Sequence, residues 1–248
     1  MTAQPYFIKS KAPDSASLGG FYTDPNHYEA GTLKGARMLS SGGSGDTFTL
    51  VGSDDGTRFW SLTGRFTDKA AGKVAIDFSS KGGPADASVT FAAGKLTFGD
   101  GNSWTRLPSP PDGLRPTAGS NAGGLYTDPG HYKAGTFAGT RMLSSGDASG
   151  GALAVVGSND GATFWSVPGR FGDKAGRKLV VDFSPRGGAH IAQRRGGCPP
   201  AHQPPFAADT PGVQRSHTAG PLDLLGAYSA GKIGWMDGNA WTQVVFGQ

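Results

Sequence analysis

Cysteine is almost missing from this chain: Cys198 is the single one in 248 residues. A lone thiol excludes an intrachain disulfide framework. Charge is sparse as well, at 17% of residues, with a formal net charge of +4 and no run of Lys or Arg. That pattern excludes the basic stripe of a nucleic-acid binder, so no nucleic-acid partner is expected. No apolar stretch reaches the roughly 18 residues that a spanning helix needs, so no membrane partner is expected either. Residues 1–18 lack the apolar core of a secretory signal and read as a flexible arm, which leaves a cytoplasmic protein as the expectation. What the chain has in excess is glycine, 42 residues, set between many short apolar runs. That favours turns between strands over helices.

The chain states its pattern twice. GGFYTDPNHYEAGTLKGARMLSS opens one unit and GGLYTDPGHYKAGTFAGTRMLSS the other; GKLTFGDGNSWTRL and GKIGWMDGNAWTQV close them. A fixed internal period means one folding unit built twice. The units are residues 19–107 and 123–248, joined by a Pro/Ser/Gly linker over 108–122. That linker is expected to leave the two units without a merged core. The offset between matching residues is 104 at Tyr22/Tyr126 and 105 at Trp60/Trp165, and then rises to 137 at Trp104/Trp241. The second unit therefore carries 32 extra residues, Ala189–Gly220.

This insertion has no strand or helix period and is rich in proline, so it reads as disordered. It holds Cys198 with His190, His202 and His217. These are zinc-ligand types, but no CxxC or HxxxH spacing relates them, and no metal site is expected. With Cys198 set apart in this segment, thiol chemistry is excluded from the repeated units. A regulatory loop is one reading; a translated intron is the preferred one. Thirty-two codons keep the reading frame, and removal joins RGG to PLDLLG, matching KGGPADASV in the first unit. A transcript that always retains this stretch would overturn that reading.

Strand signals fill both units. Thr47–Val51 and Arg58–Leu62 flank Asp54-Asp55-Gly56, an Asp-Gly turn of the hairpin type, and Ser158-Asn159-Asp160-Gly161 repeats it. Val74, Ile76 and Phe78 alternate onto one face. A further hairpin joins Ser88–Phe91 to Lys95–Phe98, and the turn Asp100-Gly101-Asn102 delivers Trp104. Gly64-Arg65-Phe66 reads as a bend with surface charge pairs. Gly82-Gly83 after Lys81 lacks the following helix of a phosphate loop. The fold class expected is all-β: two tandem small antiparallel meander barrels or sandwiches, each of six to eight strands.

The combination Asp-Pro-Asn-His, Asp-Phe-Ser-x-Lys/Arg-Gly-Gly-Pro and Asp-Gly-Asn-x-Trp resembles uncharacterised β-rich tandem-repeat proteins of algae and other protists. The resemblance covers both units but not the arm, linker or insertion. It implies a β fold and brings no activity with it. The second unit departs from it with Gly130 where the first has Asn26.

Two sets of residues are candidates for binding. Tyr22, Asp24 and His27 lie in one short loop, with Arg37 downstream; Tyr126, Asp128, His131 and Arg141 repeat them. They supply hydrogen-bonding, acidic and basic groups. Ordinary turn chemistry competes with that reading, since aspartate caps, proline fixes φ and Asn or Gly tolerates the left-handed region. The aromatic set is Trp60, Trp104, Trp165 and Trp241, residues of the kind that stack on sugar rings. Phe59 and Trp60 are neighbours, so one must point away from the core. The expected function is a non-catalytic binding module for a saccharide-like or other small polar ligand, without catalytic residues or cofactor. The alternatives are a structural or protein-interaction repeat and, third, an enzyme built on the Asp/His/Arg set.

Overall fold

The computed structural model describes residues 17–41, 46–110, 113–117, 119, 121–145, 151–173, 177–184 and 223–246. The first unit contributes β1 (Gly20–Thr23), β2 (Ala36–Leu39), β3 (Thr47–Gly52), β4 (Trp60–Asp68), β5 (Lys73–Ile76), β6 (Ala87–Ala92), β7 (Lys95–Phe98) and β8 (Ser103–Arg106). They follow one another as an antiparallel meander, and β1 closes on β8 through Tyr22↔Arg106 and Thr23↔Thr105. A short 3-10 turn, Ser79–Lys81, lies between β5 and β6.

The strand β9 (Leu114–Pro116) comes next. The second unit then runs β10 (Gly124–Thr127), β11 (Thr140–Leu143), β12 (Ala152–Ser158), β13 (Phe164–Phe171), β14 (Lys178–Asp182), β15 (Asp223–Ser229), β16 (Lys232–Trp235) and β17 (Ala240–Phe246). It closes in the same way, β10 on β17. The protein is thus all-β, with two closed eight-stranded antiparallel barrels rather than sandwiches. Closure removes the sheet edges that an open meander would expose. The insertion Ala189–Gly220 and the arm up to residue 16 lie outside the described residues. No helix among the described residues is long and apolar enough to cross a membrane.

Each barrel is filled by side chains, as eight strands allow. Leu39, Phe48, Leu50, Val74, Ile76 and Leu96 belong to the first interior cluster, with Phe78 packed against it. Leu143, Val155, Leu179, Val181 and Ile233 do the same in the second. Strand β6 shows the alternation that builds this core: Val89 and Phe91 are buried while Ser88 and Thr90 are exposed.

Two sequence expectations need correction. Gly64 lies in the middle of β4 and not in a bend. A Cβ there would come within 2.2 Å of the Phe48 ring, so glycine is what lets Phe48 fill the barrel. The charge pairs nearby are Arg65–Asp86 and Lys69–Asp46. The linker, too, is part of the structure: β9 pairs with the end of β17, Leu114 opposite Phe246. The reason is that β16 covers only Ala240–Thr242 of β17 and leaves the rest of that edge open.

The two barrels also share a third apolar cluster. Strands β2 and β3 face β11 and β12. Phe21, Leu33, Met38, Val51 and Phe59 pack with Leu125, Phe137, Met142, Val156 and Phe164. Phe21 stacks on Phe137 at 4.8 Å with the rings 6° apart. This explains why all of β2 is buried: Leu39 fills the barrel, while Ala36 and Met38 face the other one.

Candidate functional site

Strand β1 ends at Thr23, and the chain then turns tightly at Asp24. The Asp24 carbonyl accepts the N–H groups of His27 and Tyr28, and its Oδ1 accepts the Asn26 N–H at 3.1 Å. In the second barrel Asp128 Oδ1 accepts the Gly130 N–H at 3.0 Å. Only the backbone of residue 26 or 130 is used in these two bonds, which accounts for the Asn/Gly exchange.

Behind this turn, Arg37 rises from β2 into the end of the barrel and is 1% exposed. Its Nη1 donates to the carbonyls of Ala36 and Ser53, the latter at 2.5 Å. Its Nη2 donates to Asp24 Oδ2 at 2.9 Å and to Asp54 Oδ1 at 2.6 Å. His27 Nδ1 lies 3.0 Å from the same Asp24 Oδ2. The guanidinium carbon stands 4.8 Å from the Trp60 ring centre and 5.2 Å from that of Trp104. Gly52 permits this approach, because a Cβ there would come within 2.6 Å of Arg37 and 2.7 Å of Trp60.

The second barrel repeats the arrangement. Arg141 donates to the Thr140 and Ser158 carbonyls, to Asp128 Oδ2 at 2.8 Å and to Asn159 Oδ1 at 2.7 Å. His131 Nδ1 is 3.0 Å from Asp128, and the guanidinium lies 4.8 Å from Trp165 and 5.6 Å from Trp241. The two copies thus bring together the Asp, His and Arg candidates and both tryptophans of each unit.

Tyr22 and Tyr126 stand elsewhere. They are fully buried in the barrel cores, and their hydroxyls donate to the Leu18 and Ala122 carbonyls. Burial pushes both hydroxyls well above the ordinary tyrosine range. Their side-chain polar groups are used structurally and present nothing at the surface. The residue pointing away from the core in the Phe59-Trp60 pair is Phe59, and it is buried against the second barrel rather than offered to a ligand.

Three participants were not among the binding candidates read from sequence. Asn102 Nδ2 donates to Asp24 Oδ1 at 3.3 Å, and Asn239 does the same to Asp128 at 3.1 Å. Asp54 bonds Arg37, and Lys81 Nζ lies 2.5 Å from Asp54 Oδ2 and 3.9 Å from the Trp60 ring centre. The signal was present for Asn102, whose Asp-Gly-Asn turn persists in both units. For Asp54 it was hidden, because Asp54 becomes Asn159; Lys81 keeps its basic type as Arg186, which lies outside the described residues.

Electrostatics follow from this packing. Burial opposes the Asp24 carboxylate, but Arg37, then His27 and Asn102, outweigh it and hold the carboxyl below its ordinary range. Burial is likewise outweighed at Asp54, by Lys81 and Arg37. Burial lowers Arg37 below its ordinary value, opposed by Asp54 and Asp24. The surface of the cluster is formed by His27, with its side chain 45% exposed, and by the partly exposed Asp54, Lys81 and Trp60. Three buried donors, Arg37 Nε, Trp60 Nε1 and Trp104 Nε1, meet no acceptor among the described residues. Each such group costs about 1–3 kcal/mol. The indole N–H groups of Trp235 and Trp241 are in the same position in the second barrel. No protein-family model matches the chain, and no curated protein or solved structure is similar to it.

Proposed function

We propose that each unit is a non-catalytic binding module for a small polar ligand, taken up at the barrel end where Asp24, His27, Arg37 and Trp60 meet. The observation that supports this is the convergence itself. An exposed imidazole and a half-buried indole lie over one buried arginine, and the second barrel rebuilds the set with its own residues. Two sites on one chain also raise avidity for a ligand that repeats. A cytoplasmic setting belongs to this proposal.

The competing reading is a structural or protein-interaction repeat. It draws on the buried Asp24–Arg37 ion pair, which would close the barrel end whether or not a ligand binds there. An enzyme is the third reading. Asp24 already accepts from His27, Arg37, Asn102 and Asn26, and none of these is a nucleophile that His27 could activate.

A double variant, His27→Ala with His131→Ala, separates the first two readings. Binding is followed on a saccharide array and by titration calorimetry, and folding by thermal melting. Lost binding with an unchanged melt supports the module. A lowered melt with binding intact removes the site and leaves the structural repeat.

A further inference from the structure

We propose that the first barrel binds an anionic group, a carboxylate, sulfate or phosphate, and that the Asp54 side chain holds that group's place until the ligand displaces it. This rests on the binding reading above and names its ligand class.

The argument is a balance of donors and acceptors. Every carboxylate oxygen in the cluster is engaged. Asp24 Oδ1 accepts from Asn26 and Asn102, and Oδ2 from His27 and Arg37. Asp54 Oδ1 accepts from Arg37 and Oδ2 from Lys81. The unmet groups are all donors: Arg37 Nε and the indole N–H groups of Trp60 and Trp104. A site whose unmet groups are all donors favours a group that only accepts. A sugar hydroxyl also brings a donor, which would have to share the Asp54 oxygens already bonded to Arg37 and Lys81. An anion accepts from every side and also meets the positive charge of Arg37 and Lys81. The Trp60 ring is already engaged by both cations, at 4.8 and 3.9 Å, so it offers a neutral sugar little free face.

Asp54 is the part that can leave. Its side chain is 33% exposed and that of Lys81 27%, whereas Arg37 and Asp24 are buried. The second barrel shows that the fold does not require a carboxylate at this position. Asn159 accepts from Arg141 at 2.7 Å, as Asp54 does from Arg37 at 2.6 Å, through a neutral oxygen. The extra charge of Asp54 is therefore not needed to hold the arginine. It neutralises the position that a ligand's anionic group would take.

The test uses the full chain labelled with 15N, in which the tryptophans give five indole N–H signals. Sulfate, phosphate, glucuronate and glucose are titrated in turn at constant ionic strength. The expected result is saturable movement of the Trp60 and Trp104 signals with the three anions and none with glucose. Asp54→Asn should tighten anion binding about tenfold, the effect of removing one competing charge at short range in a half-exposed site. Lys81→Met should weaken it by a similar factor. If glucose moves these signals as readily as glucuronate, and Asp54→Asn leaves the affinities unchanged, the anion inference falls while the binding reading stands. If no probe moves them in either the parent or Asp54→Asn, both fall.

Discussion

Ser145 donates its backbone N–H to the Phe59 carbonyl, and the Ser145 hydroxyl accepts the Phe59 N–H at 2.9 Å. The repeat supplies the converse pair. Ser41 donates to the Phe164 carbonyl, and its hydroxyl accepts the Phe164 N–H at 3.2 Å. Ser41 corresponds to Ser145 and Phe59 to Phe164, so the same patch of each unit binds the same patch of the other. This is the self-complementary geometry of a twofold dimer, here within one chain.

The first prediction concerns this interface. Phe59 is 3% exposed and packed between the barrels. Phe59→Ala should cost about 3–5 kcal/mol in denaturant unfolding. It should also divide a single calorimetric transition into two, because the shared cluster is what couples the barrels. An unchanged single transition with a cost below about 1 kcal/mol would contradict the coupling.

Two members of one cluster should behave differently. Arg37→Ala leaves the buried Asp24 carboxylate without its cation and should cost about 3–5 kcal/mol. His27→Ala removes a partner whose side chain is 45% exposed and should cost less than about 1 kcal/mol. Urea unfolding followed by tryptophan fluorescence measures both. Equal costs would mean that the load is not on the arginine.

Acid should unfold the protein over a defined range. Burial at Asp55 is outweighed by the N–H groups of Arg58 and Thr57, which bring its carboxyl to about 2. Asp24, Asp54, Asp128 and Asp160 are lowered as well. A folded value below the unfolded one, about 3.9, means that the stabilisation is fully present above about pH 4. It is lost as pH falls through the folded value. Unfolding free energies at pH 7, 4, 3 and 2 should therefore be level at first and then drop. A steady fall beginning at pH 7 would point to other groups.

Deleting Ala189–Gly220 should leave the second barrel folded. Asp182 pairs with Asp223 across β14 and β15, so the ends of the long connection already lie side by side. The first barrel joins the corresponding strands, β5 and β6, in the same antiparallel register with a much shorter link. Loop closure depends only weakly on length, so the melting temperature should hold or rise by about 3–6 °C. A clear drop would show that the segment supports the barrel.

The sequence by itself determined what is local. Alternation at Val74, Ile76 and Phe78, and Asp-Gly turns at residues 55–56 and 160–161, specify strands and hairpins through interactions between near neighbours. The repeat made two like units legible, and it marked Asp24, His27 and Arg37 because they persist while Glu29 and Lys133 between them reverse charge. Tertiary structure decided the rest. Period-2 alternation tells that a strand has two faces but not what covers each. The inner face could belong to a sandwich or a barrel until Tyr22 met Arg106 and closed the sheet. The outer face of Phe59 could have met solvent or a ligand, and it met the second barrel instead. Tyr22 shares a motif with Asp24 yet fills the core, because it lies within strand β1 while Asp24 opens the turn that follows it. Asp54 reaches Arg37, Lys81 reaches Asp54 and Asn102 reaches Asp24 from three separate turns, contacts made only when eight strands have come together.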